Sequence, residues 1–442
     1  MKRRSFLGAT IGTAAIAPGI TGCSVGQEQS TGSSLPEKRV TYPDGTLAGK
    51  TLEQLYEQYR YDLFDDFLAF FDRYIVDTEY GGFICSTDHD GSHITTDKNA
   101  TTMGRGIWCY SFLYNNIAKE DKYLDIASKA VEFIIRHRPA GDNYWPTDYT
   151  REGEVKNSRG SLPGDCYIGE GLSEYAKATG EKKYMDMAKE TMYKALKQYD
   201  SPDFRDSASP YPGARNLWYW MLFMWFCTNT LKHESDPELE KLVARCVDAI
   251  MNHHQNPKFD LMNNVINHDL SFSQDPKYSE LAGCGHATEA LWMIMYEAER
   301  TKDKKLFETA AERFRRHVEV SQDDVYGGVF NDLTNVDENI WQLDKILWAE
   351  VFVLIGSLFV IEHTGAQWAK DMFSKQFIYV QDKFPLKQYG YSLWADYADR
   401  KVTFVPHATR KDIYHHPRHL MLNYLSVERM IKRNGKISGI FG

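Results

Sequence analysis

Apolar residues recur every three or four positions through most of the chain beyond residue 50, which is the repeat of an α-helix with one buried face. Hardly any run with the two-residue alternation of a strand is longer than four residues. The pattern predicts about twelve helices, at 51–74, 103–117, 122–137, 166–178, 183–199, 216–231, 238–255, 286–299, 304–321, 342–361, 367–383 and 416–433.

The connections between these helices alternate in length. Short polar links follow the second, fourth, sixth, eighth and tenth helices: AKED, ATGEKK, KHESDPE, RTKDKK and HTGAQ. The connections that precede these same even-numbered helices are longer, at roughly fifteen to thirty residues. Consecutive helices then run antiparallel, with all the long loops at one end. We expect an all-α fold, an (α/α)6 barrel of six hairpins. An open solenoid is the alternative, although its repeats would be more uniform.

Two stretches in the predicted long loops are near-copies of each other, 80–83 (YGGF) and 326–330 (YGGVF). Glycines followed by β-prone residues favour small hairpins. We therefore expect short β-hairpins in the long loops above the barrel mouth, with a structural role.

The first 23 residues have the composition of a targeting segment. The basic residues 2–4 (KRR) precede an apolar run at 6–20, which is too short for a permanent membrane span and typical of a signal peptide. Residues 3–7 (RRSFL) resemble a twin-arginine export signal, and residues 20–23 (ITGC) resemble a lipobox in which Cys23 becomes lipid-modified. We therefore expect an exported bacterial lipoprotein on the periplasmic side of a membrane.

The residues that follow Cys23 are rich in Ser, Gly and Gln, which is typical of a flexible linker. The sequence thus predicts a lipoprotein signal peptide over 1–23, a flexible tether over 24–48 and the barrel domain over 49–442. The longest later apolar run, 351–361, falls short of the roughly twenty residues that a membrane span requires. Membrane contact is therefore expected through the lipid anchor only.

Charge and cysteine usage narrow the classes of partner. Without residues 1–23 the formal net charge moves from −9 to −12, because that segment holds three basic residues and no acidic one. An acidic chain without a basic run is a poor binder of nucleic acid. Six cysteines beyond Cys23 form no CxxC pair, so neither a disulfide framework nor a thiolate zinc site is indicated. The aromatic content of 14% suits sugar rings as well as a core.

The segment 283–289 (GCGHATE) contains the most informative histidine. Two glycines allow a tight turn, and the apolar period that follows places His286 at the start of a helix. The positive end of the helix dipole disfavours an imidazolium there, which keeps a neutral base available. Glu289 lies on the same face and could orient the ring. For these residues alone, a capping box with a structural histidine is the alternative.

Polar residues occur at the start of every even-numbered helix, at the end that carries the long loops. A scaffold that positions loops and helix N-termini together is a common setting for chemistry. We therefore expect these residues to converge on one mouth: Arg105, Asp165, Asn216, His286 with Glu289, Lys345 with Glu350, and the segment 414–418 (YHHPR).

These residues resemble the N-acylglucosamine 2-epimerase family, which also holds cellobiose 2-epimerases and aldose–ketose isomerases. The resemblance runs from about Leu52 to the end of the chain. Residues 81–83 with 88–91 and 105–108 look like the family pattern GGF…D.DG…R..W; residues 285–289 match GH..E, 345–350 match K.WW..E, and Tyr414, His415 and Arg418 match YH..R. The family fold is an (α/α)6 barrel, in agreement with the loop lengths.

The resemblance implies an isomerase that needs neither cofactor nor metal and acts at C2 of a small reducing carbohydrate. A neutral imidazole removes the acidified C2 proton to give an enediol, and a second one returns a proton. The resemblance assigns these roles to His286 and His415, with Glu289 orienting His286 and Arg105 stabilising the oxyanion. It also assigns substrate contact or orientation to Asn216, Trp108, Trp348, Glu350 and Arg418. We expect a monomer or homodimer.

Three positions depart from the family pattern. Cys284 replaces the usual proline before GH..E, and Leu347 replaces the first tryptophan of K.WW..E. Trp220 stands four residues after Asn216, where disaccharide epimerases and several isomerases carry a histidine. This third substitution puts cellobiose-type activity and simple mannose isomerisation in doubt.

Two other classes of function stay open. A glycoside hydrolase or lyase on the same barrel would need two carboxylates on either side of one bond. Asp165, Glu170, Glu289 and Glu350 are candidates, but no pair of them forms a recognisable motif. A non-catalytic sugar-binding lipoprotein would need the aromatic mouth but not both histidines.

Overall fold

The computed structural model describes residues 38–88, 90–207, 209–386, 393–394, 397–398 and 412–441. The predicted signal peptide, Cys23 and the first part of the predicted tether lie outside this range. The α-helices of the described residues are α1 (Leu52–Tyr61), α2 (Ala69–Tyr74), α3 (Ala100–Asn116), α4 (Asp121–Ile135), α5 (Leu162–Thr179), α6 (Lys182–Tyr199), α7 (Leu217–Leu231), α8 (Pro237–Asp248), α9 (Pro276–Ser279), α10 (Cys284–Thr301), α11 (Lys304–Ser321), α12 (Leu347–Thr364), α13 (Gln367–Lys383) and α14 (His415–Lys432).

Two π-helical segments interrupt this pattern. Asp62–Leu68 joins α1 to α2, so the first predicted helix is one continuous rod with a change of hydrogen bonding inside it. Ala249–His253 continues α8. The tenth predicted helix was placed too early: the chain at Ile340–Gln342 and Lys345–Ile346 is extended and paired, and α12 begins at Leu347. The short α9 was not predicted.

Six inner helices form a closed ring. The helices α3, α5, α7, α10, α12 and α14 pack in this order, and α14 returns to contact α3. The rods α1–α2, α4, α6, α8, α11 and α13 lie outside, each against one inner helix. Closure of the ring is what distinguishes a barrel from a solenoid, so the prediction of an (α/α)6 barrel is confirmed.

Inner and outer helices differ in how they are buried. The inner helix α12 is apolar enough to pass for a membrane span, but 89% of that stretch is buried inside the protein. The outer helix α11 buries one face only, including Phe307, Phe314 and Val318. An inner helix is covered on both sides, which explains why its apolar pattern is nearly continuous.

The long loops contain short antiparallel strands, as predicted. They form one three-stranded sheet and five pairs: β1 (Lys98–Asn99) with β2 (Asp148–Tyr149) and β3 (Val155–Asn157), β4 (Arg215–Asn216) with β7 (Val265–Ile266), β5 (Gln255–Asn256) with β6 (Leu261–Met262), β8 (Asp332–Asn335) with β9 (Ile340–Gln342), β10 (Lys345–Ile346) with β13 (Tyr397–Ala398), and β11 (Pro385–Leu386) with β12 (Leu393–Trp394).

The two near-copy loops fold in the same way. Asp77 opens one loop and Asp323 the other, and each forms a buried ion pair with a lysine, Lys98 at 2.9 Å and Lys345 at 2.6 Å. Each ammonium also donates to the carbonyl of the first glycine of its Gly-Gly pair at 2.7 Å. Lys345, the first residue of the K.WW..E match, therefore braces a loop.

The predicted tether extends too far along the chain. Val40 and Leu47 are fully buried, and the amide of Val40 donates to the carbonyl of Gly435 at 3.0 Å. Lys370, on α13, donates to the carbonyl of Thr41 at 2.8 Å. The packed unit begins at residue 38 and not at 49, because these apolar side chains are buried against the barrel.

A buried polar cluster lies inside the ring. Arg418, on α14, donates to the carboxylate of Glu289, on α10, and these two helices are not neighbours in the ring. Tyr414 donates to both oxygens of Glu170, on α5, at 2.6 and 2.8 Å. Burial opposes the charge of Arg418, but Tyr414, Glu289 and Glu170 around it keep its pKa raised. Polar contacts therefore tie α14 to α10 and α5 across the interior.

His317 fastens the outer ring to the loops. Its Nε2 accepts the amide proton of Met262, in β6, at 2.8 Å, and its Nδ1 donates to the carbonyl of Arg313, one turn earlier in α11, at 2.7 Å. Burial lowers the pKa of His317 to about 4. A proton on Nε2 would remove the acceptor for Met262, so the folded protein keeps this ring neutral.

Acid should therefore weaken the fold through His317. An unfolded histidine has a pKa near 6.5, so the unfolded chain binds the proton first and stability falls as the pH drops from about 6.5 to about 4.

We expect His317→Leu to lose about 1–3 kcal/mol in the free energy of unfolding at pH 7.5, since the Met262 amide loses its acceptor. Between pH 7.5 and pH 5 the variant should lose about 2 kcal/mol less than the parent. Urea denaturation at both pH values measures this. His253→Leu, at a site that is 38% exposed, is the control; equal pH slopes for parent and His317→Leu would contradict the prediction.

The cross-barrel ion pair should be costly to break from one side. Arg418→Met leaves the Glu289 carboxylate buried without its partner, and we expect a loss of about 3–5 kcal/mol in the free energy of unfolding. The double variant Glu289→Gln/Arg418→Met should lose less than the sum of the single changes, because neither charge is then stranded. Urea denaturation of the parent, of Arg418→Met, of Glu289→Gln and of the double variant measures these free energies. A loss below about 1 kcal/mol for Arg418→Met would show that the pair does not hold the ring.

Candidate active site

The inner helices all begin at the end that carries the long loops. Near these starts Arg105, Trp218, His286 and Trp348 keep part of their surface exposed, while most residues around them on α3, α7, α10 and α12 are buried. Partly exposed side chains from four inner helices therefore face one opening at the mouth. The segment 283–289 contributes the start of α10 to this opening.

His286 is the third residue of α10. The residue before the helix, Gly283, makes no side-chain cap, so the capping box that was the alternative reading of this segment is not formed. Gly285 is needed for a different reason. A side chain at that position would collide with the amide of Asn331 and the indole of Trp348. The glycine lets the Trp348 ring come close to the helix start.

Two indoles flank the His286 imidazole. The ring centroid of Trp348 lies 5.1 Å away with an interplanar angle of 22°, and that of Trp218 lies 6.3 Å away at 15°. The Nδ1 atom of His286 is buried and has no hydrogen-bond partner among the described residues. Burial lowers the pKa of His286 to about 4. The imidazole is therefore neutral near pH 7 and held by aromatic contacts.

Glu289 is not the residue that orients His286. Its carboxylate accepts from Arg418 inside the barrel, and within the described part of the chain no hydrogen bond joins it to the imidazole. Glu289 follows His286 by three positions on α10, and Arg418 follows His415 by three positions on α14. The ion pair therefore lies about one helical turn below both histidines.

His415 is the first residue of α14 and has a polar partner. Its Nδ1 lies 3.2 Å from each carboxylate oxygen of Asp412. Its ring is 6.2 Å from that of Trp348 and 5.7 Å from that of Phe352, both on the inner helix α12. Burial lowers the pKa of His415 to about 3, and the charge of Asp412 opposes that shift. One indole, Trp348, thus contacts both imidazoles.

His416 points elsewhere. Its ring is 6.0 Å from that of Phe67, which belongs to the π-helical segment of the outer wall. The sequence left open which of the two adjacent histidines faces the mouth. The contacts with α12 assign that position to His415, and His416 packs between inner and outer helices.

Arg105 lies beside the start of α14. Its Nη2 donates to the hydroxyl of Tyr167 at 2.7 Å, and its guanidinium lies 4.1 Å above the ring of Tyr167 and 5.3 Å from that of Tyr414. Burial works against the charge, yet Tyr167 and the nearby Asp412 keep the pKa of Arg105 raised. A fixed positive charge therefore stands close to His415.

The other predicted site residues are mostly inside the wall. Glu350 accepts the amide proton of Val329 at 3.1 Å and a proton from Gln376 of the outer helix α13, so its carboxylate points away from the barrel axis. Trp108 is buried against Phe112 and Tyr414. Asn216 is buried in β4 opposite Val265, at the residue before α7.

Trp220 does not line the mouth. Its indole packs on Tyr199 of α6 at 5.1 Å and under Arg245 of α8 at 5.1 Å, and it is fully buried. The α7 residue that reaches His286 is Trp218. The departure from the family pattern at 220 therefore concerns packing between α7 and the outer ring.

Three residues of the site were missed from the sequence. Asp412 had a signal, because an aspartate a few residues before a helix can accept the free amide protons of its first turn. It accepts the backbone protons of residues 414, 415 and 416 at 3.0, 3.0 and 3.2 Å. Trp218 and Tyr167 carried no such signal in the sequence, since an aromatic residue in an apolar helix is usually a core residue.

The carboxylates considered for hydrolysis all have protein partners. Asp165 accepts from the Trp145 amide and pairs with Lys194, Glu170 accepts from Tyr414, Glu289 from Arg418, and Glu350 from Val329 and Gln376. Across the described ranges, no group of three or more His, Cys, Asp or Glu residues is arranged to hold a metal ion.

Comparison with known proteins places the chain in a family. The family model of N-acylglucosamine 2-epimerase (GlcNAc 2-epimerase) matches residues 81–418. N-acylglucosamine 2-epimerase of Mus musculus is 25% identical over 349 residues, 74% of this chain and 80% of that protein. A solved cellobiose 2-epimerase of Bacillus thermoamylovorans superposes with a TM-score of 0.72 at 17% identity, over 85% of this chain and 100% of that one. A solved D-mannose isomerase superposes with a TM-score of 0.69 at 14% identity, over 88% of this chain and 100% of that one. Because the family model covers most of its length, the chain belongs to the N-acylglucosamine 2-epimerase family.

Proposed function

We propose that this protein is a sugar 2-epimerase or aldose–ketose isomerase that acts by proton transfer at C2 of a reducing sugar. The observation that carries the proposal is the pair of imidazoles, His286 and His415, which belong to different inner helices and contact the same indole, Trp348. Similarity to N-acylglucosamine 2-epimerase, cellobiose 2-epimerase and D-mannose isomerase supports the same class of reaction.

The reaction needs a neutral base and a stabilised oxyanion. In the open-chain aldose the C2 proton is acidified by the neighbouring carbonyl. One neutral imidazole takes this proton, the C2–H bond becomes the C1–C2 double bond, and negative charge develops on O1. Arg105 supplies positive charge for that oxygen. A proton returned to C2 from the opposite face inverts the carbon, and a proton returned to C1 gives the ketose.

Burial keeps both histidines neutral before the first step. Both have pKa values lowered below the ordinary range, to about 4 for His286 and about 3 for His415. Each ring is therefore deprotonated near pH 7 and ready to accept a proton. The aromatic rings of Trp218 and Trp348 offer flat apolar faces to a sugar ring.

The geometry gives the rival functions less support. Hydrolysis requires an acid and a base or nucleophile on either side of one bond, and the four candidate carboxylates are engaged by protein partners. Binding of a sugar alone does not require two neutral imidazoles beside a partly buried arginine.

We also propose that the protein is exported and anchored by lipid at Cys23, with a carbohydrate met outside the cytoplasmic membrane as its substrate. The support is the sequence of residues 1–23, in which a twin-arginine pattern, an apolar run and the ITGC segment follow in the order of a lipoprotein signal.

Both histidines should be required for proton transfer. The purified protein is incubated in D2O with cellobiose, D-mannose or N-acetyl-D-glucosamine, and NMR follows deuterium at C2 and the new sugar. We expect exchange without bond cleavage for at least one sugar, and losses of about 10²–10⁴-fold in conversion for His286→Gln and for His415→Gln.

His416→Gln is the matched control, because this neighbouring histidine faces Phe67 and the outer wall. It should keep its conversion rate per folded molecule within about threefold. Circular dichroism of each variant checks the fold. A new reducing end without exchange at C2, or no exchange with any of the three sugars, would sink the proposed reaction.

The anchor is tested by Cys23→Ser. In a bacterial host that processes lipoproteins, the parent protein should incorporate radiolabelled palmitate and stay with membranes after a high-salt wash. The variant should lose the label and leave the membrane fraction. Ser24→Ala, which keeps the cysteine, should behave as the parent does. Label retained by Cys23→Ser would contradict the assignment.

A further inference from the structure

The two imidazoles of the site have different partners. His415 faces a carboxylate through Nδ1, whereas the Nδ1 of His286 is buried without a hydrogen-bond partner in the described residues. A carboxylate only accepts, so the Nδ1 of His415 is the donor and carries the proton of the neutral ring. Its Nε2 then has the free lone pair. Within the part of the chain that the structure describes, no carboxylate fixes the tautomer of His286 in this way.

Asp412 is itself held rigidly. Its two oxygens accept three backbone amide protons, those of residues 414, 415 and 416, at the start of α14. The side chains of Asp412 and His415 are only 9% and 10% exposed. A carboxylate locked onto a helix terminus cannot follow a moving ring, so it fixes the direction of the imidazole.

The charges around His415 make this carboxylate important. The positive charges of Arg105, on α3, and of Arg418, about one turn further along α14, both disfavour an imidazolium at this position. The α12 residues against the ring, Trp348 and Phe352, are uncharged. Asp412 supplies the negative charge that offsets the two arginines when His415 accepts a proton.

We propose that Asp412 is the positioning residue that makes His415 the base for one of the two interconverted sugars, by fixing its Nδ1–H tautomer and stabilising the imidazolium that forms. The inference rests on the proposed function and assigns different tasks to its two histidines. His286, which has no carboxylate partner among the described residues, removes the proton from the other sugar of the pair.

The proton-transfer step balances within the site. The C2–H bond of the sugar breaks, the proton bonds to Nε2 of His415, and the electron pair becomes the C1–C2 double bond as charge moves to O1 beside Arg105. The negative charge of the enediolate then favours an imidazolium at His286, which takes up a proton from solvent and returns it to carbon. In the reverse direction His286 is the base and His415 the acid, and Asp412 contributes through the proton that His415 holds.

The test compares proton removal from the two members of the sugar pair. Asp412→Asn keeps one side-chain oxygen that can accept amide protons at the start of α14, removes the negative charge, and puts an NH2 donor in place of the second oxygen. In D2O we expect deuterium exchange into one of the two sugars to fall at least tenfold, with KM within about threefold. Exchange into the other sugar, catalysed by His286, should change less than threefold.

Two further variants sharpen the result. Asp412→Glu keeps the carboxylate and should recover at least part of the lost exchange. Asp412→Asn combined with His415→Gln should be no slower than His415→Gln alone, because the carboxylate acts only through that ring. Equal losses for both sugars in a folded Asp412→Asn protein, or no loss for either, would overturn the inference. Absence of exchange in the parent protein is a separate outcome and refutes the proposed function instead.

Discussion

The ion pair between Arg418 and Glu289 is the contact on which the rest of the site depends. It joins two inner helices that are not neighbours in the ring, and it lies wholly inside the protein. A buried guanidinium is stable only when its charge is compensated, so α10 and α14 are held in one register. His286 and His415 each precede a member of the pair by three residues. The pair therefore fixes the register of the two helix starts from which both imidazoles project.

Above this pair, aromatic rings give the mouth its shape. Trp348 contacts both histidines, and it can approach α10 only because residue 285 is a glycine. The same rings exclude water from His286 and lower its pKa. Packing and acid–base chemistry are thus linked here: the contacts that fix the imidazole also keep it neutral.

Several polar residues of the family motifs serve the wall of the barrel. Lys345 braces a loop through Asp323, and Glu350 holds the same loop through the amide of Val329. From the sequence both were expected at the mouth, because a charged residue near an inner-helix start looks functional. A helix start has two sides, however, and the linear pattern does not say which of them faces the axis. The same uncertainty applied to Trp220, which packs outward, and to Trp218, which reaches His286.

The sequence by itself determined the helices, their antiparallel order and the end of the barrel at which the histidines meet. These features follow from local periodicity and from loop length, which each segment carries independently. Only the tertiary structure decided which polar side chains touch one another. The partner of Glu289 is Arg418, which lies 129 positions further along the chain. The partner of His415 is the carboxylate of Asp412. Such pairings depend on ring closure and on the rotation of each helix about its axis, and both are fixed by packing that involves the whole chain.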